Sequence, residues 1–262
     1  MRLRLRRPCE RLRIRRLAVV LLAVVLWAPA TPSAGAEIKV LSAGAVEPGI
    51  RAAAAAYAKQ SGNEVKITFN TAPEIRKRVS AGEAFDVVIA PPAALDEFKS
   101  AGKVAADRVD LGRVGLGVAV RPGAESPDIS STEALKRSVL QADSIVYNRA
   151  STGIYLENLF KKMGLYDEIL PKTTRYPDAG AVMEHVLKGK GKEIGFGPVT
   201  EILLHRDKGL KLVGPLPADI QNYTSYSAAP MASAANAELA RAFVKYLGGS
   251  ESKALFVAAG VD

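Results

Sequence analysis

The sequence predicts an α/β protein folded as two lobes. Short β-rich runs alternate with amphipathic helical stretches throughout residues 37–262. The alternation falls into two series, one opening at Ile38 and the other at Ser144, and repeated β–α units argue for parallel sheets. Segments near Gly117–Gly123 and Pro217–Ser225 read as two crossings between the series, a two-segment hinge. Lobe 1 is then expected from residues 37–120 with 223–262, and lobe 2 from residues 121–222.

The elements follow in order. Ile38–Ser42 reads as a strand, and the Ala-rich stretch from Glu47 to Gln60 as a helix with Ile50, Ala54, Tyr57 and Ala58 on its apolar stripe. Gly62 is placed to end that helix. Glu64–Phe69 alternates as a strand, and Glu74–Ala81 is a short helix. Asp86–Ala90 is almost continuously apolar, as in a sheet covered on both faces. Pro91-Pro92 opens a helix ending near Gly102, and Val114–Val120 is a strand. Ser130-Ser131-Thr132-Glu133 contains a capping box. Ser144–Asn148, Lys172–Tyr176, Glu193–Pro198, Lys211–Leu216 and Tyr223–Met231 read as later strands. Leu156, Leu159, Phe160 and Met163 stripe one helix, and Val182, Met183, Val186 and Leu187 another. Two helices, about Asn236–Leu247 and Glu251–Ala259, close the chain.

Residues 1–36 read as a secretory signal peptide. Eight arginines precede an apolar run from Leu17 to Ala30, and Ala34-Gly35-Ala36 has the small-residue pattern of a cleavage site. The run is too short for the roughly 20 residues a bilayer span needs. Removing residues 1–36 takes most of the formal charge of +9 with it, leaving 28 basic and 26 acidic residues. The basic balance is therefore no argument for nucleic acid. Cys9 lies inside the arginine-rich segment, so the exported chain carries no thiol, disulfide or lipid anchor.

The order of motifs resembles the molybdate-binding-protein-like branch of the type 2 periplasmic solute-binding proteins. The carriers are Ile38 to Ala45, Val65 to Thr71, Ala81 to Ile89, Ser151-Thr152-Gly153-Ile154-Tyr155, Val186 to Gly197, and Ala242 through Gly260. The resemblance implies a two-lobed type 2 fold and a small anion held between the lobes. It further implies a monomeric periplasmic partner of an ABC-importer permease, with no cofactor and no enzymatic activity. In the molybdate binders serines after the first two strands and a tyrosine contact the oxyanion. Here those places hold Ala45, Asn70-Thr71-Ala72-Pro73 and Pro198. The ligand is thus expected to be a molybdate-like oxyanion or an organic anion. A periplasmic sensor partner, or an enzyme on a related two-lobed scaffold, are the alternatives.

The strand-to-helix turns are the candidate ligand positions, because helix starts present free N–H groups and strand-end crevices hold ligands in open α/β sheets. They contribute Ser42, Gly44, Ala45, Asn70, Thr71, Arg149, Ser151, Thr152, Gly153 and Ala181. Thr71, Ser151 and Thr152 could donate to a ligand or cap their helices. Arg149 could grip a carboxylate in a bidentate fork or stand in solvent. Tyr147 and Tyr176 could stack on an organic ligand or belong to the core. His185 and His205 are too isolated for a transition-metal site, and Gly189-Lys190-Gly191-Lys192 reads as a turn. Acidic residues are scattered, with no carboxylate pair assignable to the cleft and no nucleophile elbow, so no catalytic residue is expected.

Overall fold

The computed structural model describes residues 35–262; the segment read as a signal peptide up to Ala34 lies outside them. The first series forms β1 (Glu37–Ala43), α1 (Glu47–Ser61), β2 (Glu64–Asn70), α2 (Ala72–Ser80), β3 (Val87–Ala90) and α3 (Pro92–Ser100). After β4 (Val109–Val120) come α4 (Thr132–Gln141), β5 (Ser144–Asn148), α5 (Ser151–Lys162) and the single turn α6 (Tyr166–Ile169). Then follow β6 (Thr173–Tyr176), α7 (Ala179–Lys188), β7 (Glu193–Pro198), α8 (Val199–Leu204) and β8 (Lys211–Pro215). The chain ends in β9 (Tyr223–Pro230), α9 (Ala237–Leu247) and α10 (Ser250–Ala258).

β1 pairs in parallel with β2 and β3, and β5 pairs in parallel with β6 and β7. Parallel partners need crossover helices, which the β–α alternation supplies. β9 runs antiparallel to β3 on one side and to β4 on the other. β4 is shared between the two sets of strands. Its Val109–Gly115 half pairs with β9, and its Leu116–Val120 half pairs with β7 and β8.

The apolar cores divide at the same point. One cluster joins residues from Ile38 to Val114 with Tyr226 to Val261, and holds Tyr57, Phe243 and Phe256. A second runs from Leu116 to Leu216 around Tyr147, Phe160 and Phe196, whose rings meet at tilted or edge-on angles. A third, smaller cluster links Ala119, Val146, Val182 and Ile202 on the other face of that sheet. The fold is the expected two-lobed α/β arrangement, in which β4 runs from one set of strands into the other and the chain returns just ahead of β9. Gln221 fastens this junction by donating to the Leu116 carbonyl (3.0 Å) and accepting from its N–H (2.9 Å).

Candidate functional site

The carboxyl ends of β1, β2, β5, β6 and β7 converge on a cavity of about 460 Å³. Each strand ends in a tight turn into a 3-10 or α-helix, so the cavity wall is built from turns rather than long side chains. Gly44, Ala45, Asn70, Thr71, Ser151 and Thr152 all line it. The four other candidates lie outside the lining. Ser42 is fully buried and donates to the Ala43 carbonyl. Arg149 is exposed. Gly153 is buried where a Cβ would stand 1.7 Å from the Asn148 carbonyl oxygen, so the close approach of α5 to β5 requires glycine. The Ala181 N–H is taken by Asp178 Oδ1 at 2.8 Å.

The two sides of the cavity treat their helix starts differently. The 3-10 turn at Gly44–Val46 and α2 start beside the cavity with no side-chain cap on their first N–H groups, whereas at the start of α1 the Glu47 N–H is taken by the Gly44 carbonyl. Thr71 holds the N-cap position of α2, yet its hydroxyl makes no cap bond. Opposite, Asn148 Oδ1 accepts the N–H groups of Ala150 and Gly153, both at 3.0 Å, and its amide donates to Thr152 Oγ1 at 2.9 Å. Asp178 caps α7.

No Lys, Arg or His lines the cavity, whereas Glu47, Glu74, Asp178 and Glu201 do. Three of these carboxylates are compensated. Glu47 pairs with Arg51 at 2.7 Å, Glu74 lies 3.7 Å from Lys77 Nζ, and Asp178 takes its cap bond. Glu201 is 9% exposed and makes no side-chain hydrogen bond or ion pair among the described residues. Burial, with the nearby charges of Glu47 and Asp178, pushes its carboxyl up to about 7. Tyr226, from β9, also lines the cavity, and burial raises its phenol, so it stays a neutral donor.

Glu201 is the site residue that sequence reasoning missed. Its helix has six residues, too few to show periodicity. The legible signal was Pro198 closing a strand, with an acidic residue three positions on in a first helical turn. His205 is also buried, its Nδ1 bonded to the Glu201 carbonyl at 3.0 Å. Tyr147 belongs to the core, and the Tyr176 hydroxyl meets His185 Nδ1 at 2.9 Å. Among the described residues no group of three His, Cys, Asp or Glu is placed to hold a metal ion, and no helix is long and apolar enough to cross a membrane.

Two lobes with a turn-lined cleft between strand ends define the class of periplasmic binding folds. The Azotobacter vinelandii periplasmic molybdate-binding protein shares it, with a TM-score of 0.72 at 18% identity over 86% of this chain and 98% of that one. The tungstate ABC transporter structure from Geobacter sulfurreducens gives 0.64 at 14% identity, over 85% and 98% of the two chains. The chain itself belongs to the bacterial extracellular solute-binding protein family, whose model matches residues 38–262. A Pseudomonas sp. protein named aconitate isomerase is 35% identical over 252 residues, covering 90% of this chain and 93% of that protein. That relative corrects the expectation that the chain has no enzymatic activity: a protein with this much shared sequence is an enzyme. What the sequence reading could not weigh is Glu201, a carboxyl raised toward neutrality by burial that only the folded chain brings to the cleft.

Proposed function

We propose that this chain isomerises a small unsaturated polycarboxylate of the aconitate type, with Glu201 moving the proton. The observation that carries this reading is the uncompensated, buried Glu201 carboxyl at the cleft, titrating near neutrality. A general base of that strength suits work near pH 7. In its ionised form Glu201 removes a proton from the substrate's methylene carbon. The electron pair shifts, the double bond migrates, and Glu201 returns the proton to the former alkene carbon. No net oxidation occurs, and the two carbons exchange roles, which interconverts geometric isomers. Charge developing on the adjacent carboxylate is met by the uncapped N–H groups at Gly44–Val46 and α2, the Thr71 hydroxyl and the Tyr226 phenol. The relative's name supplies the substrate class.

The test is proton NMR of the purified protein with cis- or trans-aconitate in D2O. The expected result is conversion to the other isomer with deuterium incorporation, lost in Glu201→Gln. Submicromolar binding without conversion would overturn it. That outcome would favour a second reading, capture of a small anion for the permease of an ABC importer, which the family and the binding-protein fold support. The family and the export pattern of residues 1–36 support a site of action outside the cytoplasm for either activity. Arg149, Ser42, Gly153 and Ala181 shape the surrounding turns in this reading, while Gly44, Ala45, Asn70, Thr71, Ser151 and Thr152 meet the ligand.

A further inference from the structure

We propose that Thr200 is a positioning residue: its hydroxyl ties α8 to the Gly44-Ala45 turn of the opposite lobe and so fixes the Glu201 carboxyl at the cleft floor. The catalytic consequence rests on the proposed isomerase reading; the placement does not.

Helix α8 cannot aim Glu201 by itself. It has six residues, follows Pro198, and has no side-chain cap. Ile202 roots one face among Ala119, Val146 and Val182. The other face meets the first lobe, where Thr200 is fully buried and donates to the Ala45 carbonyl at 2.6 Å, across 155 residues of sequence. Among the described residues this is the one side-chain hydrogen bond from α8 to another element. The neighbouring position completes the seat. A Cβ on Gly44 would stand 3.0 Å from Glu201 Oε1, so the carboxyl rests directly over that glycine. One bond and one close approach to the same turn therefore define where the carboxyl sits.

The charged groups around Glu201 do not compete for this role. Arg51 of α1 is engaged by Glu47, and Asp178 by the start of α7. Glu184 of α7 pairs with Lys208 and lies 3.9 Å from His205 Nε2. Tyr226 of β9 is neutral, and His205 bonds the Glu201 backbone, not its carboxyl.

The experiment compares Thr200→Val, which removes the hydroxyl at nearly constant shape, with Thr200→Ser, which keeps it. Carbon-13 NMR of the glutamate carboxyls, with Glu201→Gln to assign the resonance, follows the titration of Glu201 in each folded protein. Thr200→Val is expected to lower the midpoint by about one pH unit, as the carboxyl gains access to water. Thr200→Ser is expected to restore the wild-type midpoint. With aconitate, Thr200→Val should lower kcat by about 10- to 100-fold with little change in KM, the effect of a misplaced reacting group. An unchanged midpoint in Thr200→Val, or an equal shift in Thr200→Ser, would overturn the proposal. A wild-type protein without turnover whose midpoint still shifts as expected would remove the isomerase reading and leave the positioning role standing.

Discussion

The two walls of the cleft are built from the same unit, a strand running into a helix, but they spend their polar groups differently. On the first-lobe wall, the turn at Gly44–Val46 and the start of α2 leave their N–H groups and the Thr71 hydroxyl without internal partners. On the second-lobe wall, Asn148 and Asp178 satisfy the starts of α5 and α7. Donors already bonded within the protein stabilise the fold, and donors left open are available to a ligand. Substitutions on the first wall should therefore change binding and leave stability alone. Substitution of the capping residues Asn148 and Asp178 on the second should act first on stability. Glu201 sits where the walls meet and belongs to neither pattern.

The largest effect is expected at that junction. Glu201→Gln should cut turnover of aconitate by about 10²- to 10⁴-fold, the usual contribution of a positioned acid–base group. Steady-state kinetics checks it, and a loss confined to KM would place Glu201 in binding alone. The same residue gives a pH signature in stability. Its folded value, about 7, lies above the ordinary 4.5 of the unfolded chain. Between those values the native state holds the extra proton, so stability declines as pH rises and the full cost is present above pH 7. Glu201→Gln should then be more stable than wild type by about 3 kcal/mol at pH 8 and nearly equal at pH 4, by urea denaturation. Equal stabilities at pH 8 would show that the carboxyl is better solvated than its burial implies.

The walls themselves give smaller effects. Asn148→Ala removes the acceptor for two N–H groups and a partner of Thr152, and should cost about 1–2 kcal/mol of stability. Thr71→Val should leave stability within about 0.5 kcal/mol and weaken ligand binding by about tenfold. Thermal unfolding and calorimetry on both variants test the contrast. A Thr71→Val protein that melts early, with affinity intact, would erase the distinction between the walls.

Much of the fold was legible in the sequence because its elements announce themselves locally. Tyr57 and Ala54 fall on the buried face of α1, as the stripe predicts, and Val182, Met183 and Val186 do so on α7. The capping box at Ser130–Glu133 marks the start of α4 one residue early: Ser131 is the cap, accepting from Ala134 N at 3.2 Å, while Ser130 bonds Asp128. The β-strand at Val109–Val120 is longer than the apolar run suggests. Its first half is an alternating stretch interrupted by a register shift near Gly112, which hides the pattern. At the site, six of ten named residues line the cavity, since strand–helix turns can be located from sequence. Arg149 follows a strand directly, yet whether such a side chain turns toward a cleft or toward solvent depends on neighbours far along the chain.

The sequence by itself determined the α/β class, the order of elements, the turns that gather at the cleft and the export pattern at its start. These depend on periodicity and on glycine, proline and capping residues, which act over a few positions. Only the tertiary structure decided the chemistry. Thr200 meets Ala45 from 155 positions away, and Glu201 acquires its raised titration from burial beside Glu47 and Asp178. A carboxyl in a short helix carries no local mark of whether water reaches it. Desolvation and through-space charge are set by which distant segments the fold packs around the group.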